Sequence, residues 1–253
     1  MKITLMDYTK DAVEKLIFTK RTRLNMTPDS WREVVDLSPE EKEIELNYVL
    51  TTIGSSLEFV DYMFLISGVS RAFTHQLVRH RVGVAFAQQA QRVVNMTDFD
   101  YIETGLCKDN PVYHEAMERI SDSYQELLAQ GVSPQDARGV LPTNIATNIV
   151  MKINLRSLMA MAEVRFCYRA QGEYQSVMKA MAEEVLAVHP WLKKKLQPCC
   201  IQHGYCLFPR FLDCPMKEAY PGELTPIPES RINDMIHFYD NLGVVEFQPT
   251  GKR

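Results

Sequence analysis

The stretch Gly68–Val94, GVSRAFTHQLVRHRVGVAFAQQAQRVV, governs how the rest of the chain is read. It sets Arg71, Arg79, Arg81 and Arg92, His75 and His80, and Gln76, Gln88, Gln89 and Gln91 into an otherwise apolar run. Charge at that density is costly to bury unless it is paired or meets a ligand. Val69, Phe73, Leu77 and Val78 suit one face of a helix. After Val82, the residues Val84, Phe86 and Ala90 read as an extended segment. A helix that delivers Arg79-His80-Arg81 into a turn, followed by a strand bearing glutamines and Arg92, makes an anion site. The alternative is a solvated basic helix face, and charge pattern alone does not separate the two.

The rest of the composition sharpens that choice. The chain has 253 residues, 46% apolar and 24% charged, with a formal net charge of -4. These are the proportions of a globular protein with ample material for a core. The acidic balance argues against general nucleic-acid binding and makes the arginines a local feature, suited to a small anionic ligand. MKITLMDYTK is too polar for a secretory leader, and no run approaches the ~18 apolar residues of a membrane span. Six cysteines at this length do not form a disulfide framework, so a reducing cytoplasm is expected.

Outward from the opening stretch, residues 1–8 alternate as a strand, with Ile3 and Leu5 inward. Ala12 to Phe18 reads as a short helix, and Arg21 to Asp29 as loop. Ser38-Pro39-Glu40-Glu41 is a helix start, with a serine cap, proline at the first helical position and a capping-box glutamate. That helix carries Ile44, Leu46 and Val49 and ends at Gly54-Ser55-Ser56. Leu57 to Ser67 is rich in strand formers and leads into the opening stretch. Downstream, Met96 to Asn110 is loop, Val112 to Gln130 a helix closed by Gly131, and Ser133-Pro134 starts a short helix. Thr143 to Val164 reads as one long helix with Met151, Leu155, Leu158, Met159 and Ala162 as its apolar stripe. Glu173 to Leu192 is another, with Val177, Met181, Val185 and Val188 inward. Pro221 to Pro228 reads as a linker and Ile232 to Tyr239 as a final helix. The fold class expected is α+β, a few antiparallel strands with long helices, the pair 143–192 supplying much of the core.

A second arginine set, Arg138, Arg156, Arg165 and Arg169, lies in the late helices with Asn154 nearby. Guanidinium groups offer the bidentate geometry that phosphate recognition uses. Late in the chain, Cys199, Cys200, His203, Cys206 and Cys214 gather, but their spacing is irregular beside CxxC pairs and no metal is expected from it.

Arg79-His80-Arg81, followed by Gln88-Gln89-Ala90-Gln91-Arg92-Val93, resembles the signature of the flavin-dependent thymidylate synthases. The run Gly68 to Arg81, the ARGVLP segment around Arg138, the NLRSLM helix at Asn154 and Arg156, and Ala170-Gln171-Gly172-Glu173 fall in that family's order. Gly204-Tyr205-Cys206 and Cys214-Pro215 extend the likeness, which covers roughly residues 1–215, with 216–253 as a C-terminal extension. The resemblance implies a homotetramer with FAD at subunit junctions. It implies methylenetetrahydrofolate and NADPH as co-substrates and conversion of dUMP to dTMP. Carried over by position, Gln76, Arg79, Gln88, Gln89, Ala90, Arg92 and Arg138 would contact the nucleotide, and Arg165 would sit at the uracil edge as the catalytic group. Ser55, Glu58, Arg79, His80, Arg81, Gln88, Asn154, Arg156, Ala160 and Arg169 would contact flavin.

Several positions depart from the family pattern. Ala90 stands where the motif has serine and Val93 where it has tyrosine. Ala85 and Ala87 replace small polar residues, and the spacing from Arg81 to Arg92 is one residue longer. Ile53 and Phe59 stand where the family has histidines, Ala160 where it has asparagine, and Arg169 where it has histidine. Each lost hydroxyl at a ligand face removes a hydrogen bond worth about 0.5–1.5 kcal/mol. Two other readings therefore stay open at this point. One is hydroxymethylation of dUMP or modification of dCMP on the same scaffold, and the other is a nucleotide-binding homologue without catalysis.

Overall fold

A computed structural model describes residues 1–22, 27, 29–103, 105–206 and 214. Its centre is one antiparallel sheet in the order β1-β2-β4-β3, formed by β1 (Lys2–Tyr8), β2 (Asp61–Ser70), β3 (Val84–Gln88) and β4 (Ala146–Asn154). The helices are α1 (Ala12–Arg21), α2 (Ser30–Val35), α3 (Pro39–Thr52), α4 (Arg71–Leu77) and α5 (Pro111–Ala129). They continue with α6 (Pro134–Ala137), α7 (Leu155–Arg165), α8 (Gly172–Val188) and α9 (Cys199–His203). The α+β expectation holds. The expected linker 221–228 and final helix 232–239 lie outside the described residues.

The largest departure from expectation is at 143–164, where a strand and a helix replace the single long helix. Thr147, Ile149, Met151 and Ile153 are buried while Asn148 and Lys152 are exposed, the two-residue period of a strand with one face in the core. Methionine and leucine on both sides of Asn154 blur that period into a helical stripe. Asn154 is the boundary, its side-chain oxygen accepting from Ser157 N at 2.9 Å as the cap of α7. The pair 143–192 therefore contributes a central strand and two shorter helices to the core.

Smaller corrections follow the same logic. In α3, Leu46 and Val49 are buried but Ile44 is 71% exposed. Val69 belongs to β2, and Val78, after the end of α4, faces outward, which leaves Phe73 and Leu77 as the buried side of that helix. Residues 57–59 form part of a 3-10 turn, Gly54–Phe59, before β2 begins. The capping box of α3 is present in full, with Ser38 Oγ accepting from Glu41 N and Glu41 accepting from Ser38 N.

Tyr62, Phe64 and Ile66 of β2 lie opposite Ile153, Met151 and Ile149 of β4. This face is covered by Tyr174, Val177, Met178, Met181 and Val185 of α8, which share its core cluster. The opposite face carries Leu65 and Val150, with Ala87 paired to Val150 and Ala85 to Lys152. Leu65 and Val150 are half-buried and the two alanines exposed, so this side is apolar yet thinly covered. A second, smaller cluster (Met96, Tyr124, Ala137, Ile145) joins α5 and α6 to the loop after β3.

Candidate functional site

β2 bends into α4 through a register shift between Ile66 and Val69. Ser70 caps α4, its hydroxyl accepting from Phe73 N at 3.0 Å and donating to Glu173 Oε2 at 2.5 Å. Ser70 N also donates to Glu173 Oε1 at 2.7 Å, so α4 is tied to the start of α8 before the arginine run begins. One turn on, Gln76 Nε2 donates to Gln171 Oε1 at 2.6 Å. α4 ends at Leu77, and Arg79-His80-Arg81 forms the turn beyond it, with His80 N donating to Leu77 O.

Within that turn the three side chains diverge. Arg79 and Arg81 are exposed, while His80 is half-buried with its ring 6.4 Å from that of Tyr174. The Arg165 guanidinium lies over the same Tyr174 ring at 4.3 Å. Burial, and then the charge of Arg165, hold the His80 imidazole below the usual histidine range. Burial pushes the Tyr174 hydroxyl up to about 12, against the opposing pull of Arg165. His80 Nε2 and Arg165 Nε are buried without a hydrogen-bond partner, as is Gln91 Nε2. Buried polar nitrogens of this kind are rare in a finished structure, and those of His80 and Arg165 belong to two side chains brought to one tyrosine ring, which makes this turn the candidate ligand site.

The turn is anchored to α7 by its glycine. Gly83 has a φ of +65°, and its carbonyl oxygen accepts from Asn154 N at 2.9 Å. A Cβ there would lie 2.3 Å from Asn154 Nδ2 and 2.6 Å from Ser157 Oγ. Ser157 Oγ in turn donates to Val82 O at 2.7 Å. Only glycine permits both the backbone angle and the approach. The same corner holds Arg156, whose Nη1 is 2.5 Å from Glu58 Oε1, and whose Nε would be 3.8 Å from a Cβ on Gly54. Ser55 and Glu58 are exposed in the Gly54–Phe59 turn beside it.

The remaining expected site residues fall into a third group along β3. Gln88 Nε2 donates to Thr74 Oγ1 at 2.9 Å, which commits its side chain to α4. Gln89 accepts from Asn148 Nδ2 at 3.2 Å, and its carbonyl oxygen lies 3.5 Å from Arg71 Nη1. Burial, and then the charge of Arg138, hold the Arg71 guanidinium below its ordinary range. Ala90, Arg92, Arg138, Ala160 and Arg169 are exposed. Two participants were not expected from the sequence, Tyr174 and Thr74, each within two residues of one that was singled out; Arg71 was read in the charged run but given no ligand role. The part each plays depends on packing across elements.

The fold and these groups define an α+β protein with a cluster of cationic side chains at the junction of a sheet and three helices. Comparison with known proteins agrees. Residues 4–191 match the family model described as thymidylate synthase complementing protein. A flavin-dependent thymidylate synthase of Sulfurisphaera tokodaii is 34% identical over 80% of each chain. One from Pyrococcus furiosus is 33% identical over 81% of this chain and 89% of its own. In structure, the chain is similar to a flavin-dependent thymidylate synthase from Helicobacter pylori complexed with FAD and dUMP. There the TM-score is 0.61 and identity 20%, over 78% of this chain and 100% of that one. The chain belongs to the flavin-dependent thymidylate synthase family.

Proposed function

We propose that this protein converts dUMP to dTMP, with FAD as cofactor, methylenetetrahydrofolate as carbon donor and NADPH as reductant. The observation that carries the reading is the pair of buried, unpartnered nitrogens on His80 and Arg165 flanking Tyr174, in a chain of this family. Donors already desolvated lose little more on meeting an anionic or carbonyl-rich ligand, and they interact strongly with it. The residues fit both ligands. Arg79, Arg92 and Arg138, exposed and cationic, suit the nucleotide phosphate, with Arg138 reaching a neighbouring subunit's nucleotide. Gln76, Gln88, Gln89 and Ala90 line the same segment.

Arg165 takes the uracil edge in this reading. A guanidinium there favours the N3-ionised pyrimidine and raises electron density at C5, the carbon that takes the one-carbon unit. Tyr174 keeps that guanidinium oriented by its ring face. His80, Arg81, Arg156, Ser55, Glu58, Ala160 and Arg169 lie on the side assigned to flavin. The Asn154 and Gln88 side chains are committed to Ser157 and Thr74, so they act by holding the turn and strand in place. Bound flavin would supply the hydride; the chain's own residues bind, orient and exclude water.

The quaternary reading is a homotetramer with sites at subunit junctions. The thinly covered sheet face, and Val82 and Phe59 at 82% and 62% exposure beside the site, support it. No helix among the described residues is long and apolar enough to cross a membrane. The proposed location is the cytoplasm, and the proposed catalytic domain runs to residue 215, ahead of an extension.

The test is tritium release from C5-labelled dUMP. Release that requires both methylenetetrahydrofolate and NADPH, from a yellow protein with a flavin spectrum, is the expected result. Mass spectrometry of the product checks that a methyl, and not a hydroxymethyl, has been added. A colourless protein that cannot be reconstituted with FAD overturns the proposal.

A further inference from the structure

The end of α7 and the short helix α9 meet at a junction that the proposed reaction does not use, and they gather metal-ligating side chains there. The donor atoms of Glu163, Cys199 and His203 all lie within 4.8 Å of one another. His203 Nε2 is 3.1 Å from Glu163 Oε1, and the His203 ring stacks on Tyr205 with centroids 5.7 Å apart. Cys199 is 5% exposed. Zinc bonds of about 2.0–2.1 Å to nitrogen and oxygen set neighbouring ligand atoms about 3.3 Å apart around a tetrahedral centre. The histidine–glutamate pair already stands near that separation, with the sulfur alongside.

Cys200, next in the same short helix, and Cys206, just beyond its end, place further thiol-bearing residues close by in the chain. A surface ion pair would account for His203 and Glu163. It would not account for the buried Cys199, whose sulfur lies within 4.8 Å of both donor atoms. Sulfur and imidazole donors suit a borderline-soft ion rather than calcium or magnesium, which take oxygen shells.

We propose that the α7–α9 junction binds a zinc ion, with Glu163, Cys199 and His203 as three ligands and a thiolate from the neighbouring cysteines as the fourth. The ion would tie the segment after α8 to the C-terminal end of α7. Sequence spacing hides such a site because Glu163 comes from a helix far upstream of Cys199 and His203.

The experiment uses the full chain, purified from zinc-supplemented medium and assayed for metal by mass spectrometry. About one zinc per chain is expected. After chelator treatment, added cobalt should give tetrahedral thiolate–cobalt bands in the red, clear of flavin absorbance. His203→Ala, Glu163→Gln and Cys199→Ser should each weaken zinc binding by about tenfold or more. Cys107→Ser, outside the junction, should bind as the parent does. Circular dichroism reports whether each variant folds. Zinc should also raise the melting temperature of the unmodified chain, a readout that needs no variant. A chain that takes up neither zinc nor cobalt overturns the proposal. So does zinc held unchanged by His203→Ala and Glu163→Gln but lost in Cys200→Ser, and so does iron with sulfide in place of zinc.

Discussion

Replacing Gly83 with alanine tests how the Arg79-His80-Arg81 turn is held. The added Cβ would fall 2.3 Å from Asn154 Nδ2 and 2.6 Å from Ser157 Oγ, on a residue with φ of +65°. The left-handed backbone alone costs an alanine about 1 kcal/mol. Relieving the overlap requires Asn154 to leave its capping position, worth about 1 kcal/mol. It also stretches the hydrogen bond from Asn154 N to Gly83 O, worth about another 1 kcal/mol. The sum is about 3 kcal/mol, or a fall in melting temperature of about 6–12 °C for a chain of this length. In an Asn154→Ala/Ser157→Ala background the overlapping atoms are gone. There Gly83→Ala should cost only the backbone strain, about 1 kcal/mol. The assay is thermal unfolding of the flavin-free protein at one fixed concentration, run as a double-mutant cycle. Equal losses in both backgrounds would refute the reasoning, because the cost would then not arise from contact with α7.

Three further outcomes follow from the site and the core. His189, whose Nδ1 is 2.8 Å from the Tyr62 hydroxyl, is held below the usual histidine range by burial. The unfolded chain therefore protonates first, and stability should be full above about pH 6.5 and fall as pH drops below it. In His189→Gln, denaturant midpoints between pH 7 and 5 should show a shallower slope, with His80 contributing what remains. Tyr174→Leu removes the ring beneath Arg165 at the loss of about 1 kcal/mol of cation–π energy. Calorimetry should show dUMP binding about fivefold weaker; unchanged affinity would exclude Tyr174 from orienting the arginine. Arg156→Ala breaks an ion pair whose side chains are 57% and 46% exposed, so stability should change by less than about 1 kcal/mol. FAD retention measured by absorbance should nonetheless drop if Arg156 contacts flavin as proposed.

How far the sequence discloses this molecule depends on whether a feature is local. The capping box at Ser38 and Glu41 and the helix closure at Gly131, with φ of +83°, are readable because each is set by a few adjacent residues. The arginine turn is readable because its charge density stands out against an apolar run. β4 is not, since Met151 and Val150 satisfy helical and strand spacings alike. Tertiary pairing with β2 and β3 decides between them. The role of Tyr174 is equally hidden: a tyrosine in a helix is ordinary until Arg165 and His80 are brought against its ring. Asn154 was singled out as a ligand residue, yet its side chain caps a helix that begins where no break was expected.

The ties between Ser70 and Glu173 join residues 103 apart in the chain, and those between Gln76 and Gln171 join residues 95 apart. During synthesis the whole of β2, α4 and β3 emerges before the partners that fasten α4 exist. Closing so large a loop carries an entropic cost that must be met before any local reward is collected. The aromatic side chains of β2 meanwhile wait for α8 to cover them. The nascent chain thus carries an unfastened helix beside bare strand, an aggregation-prone stage that comes before any ligand can be held.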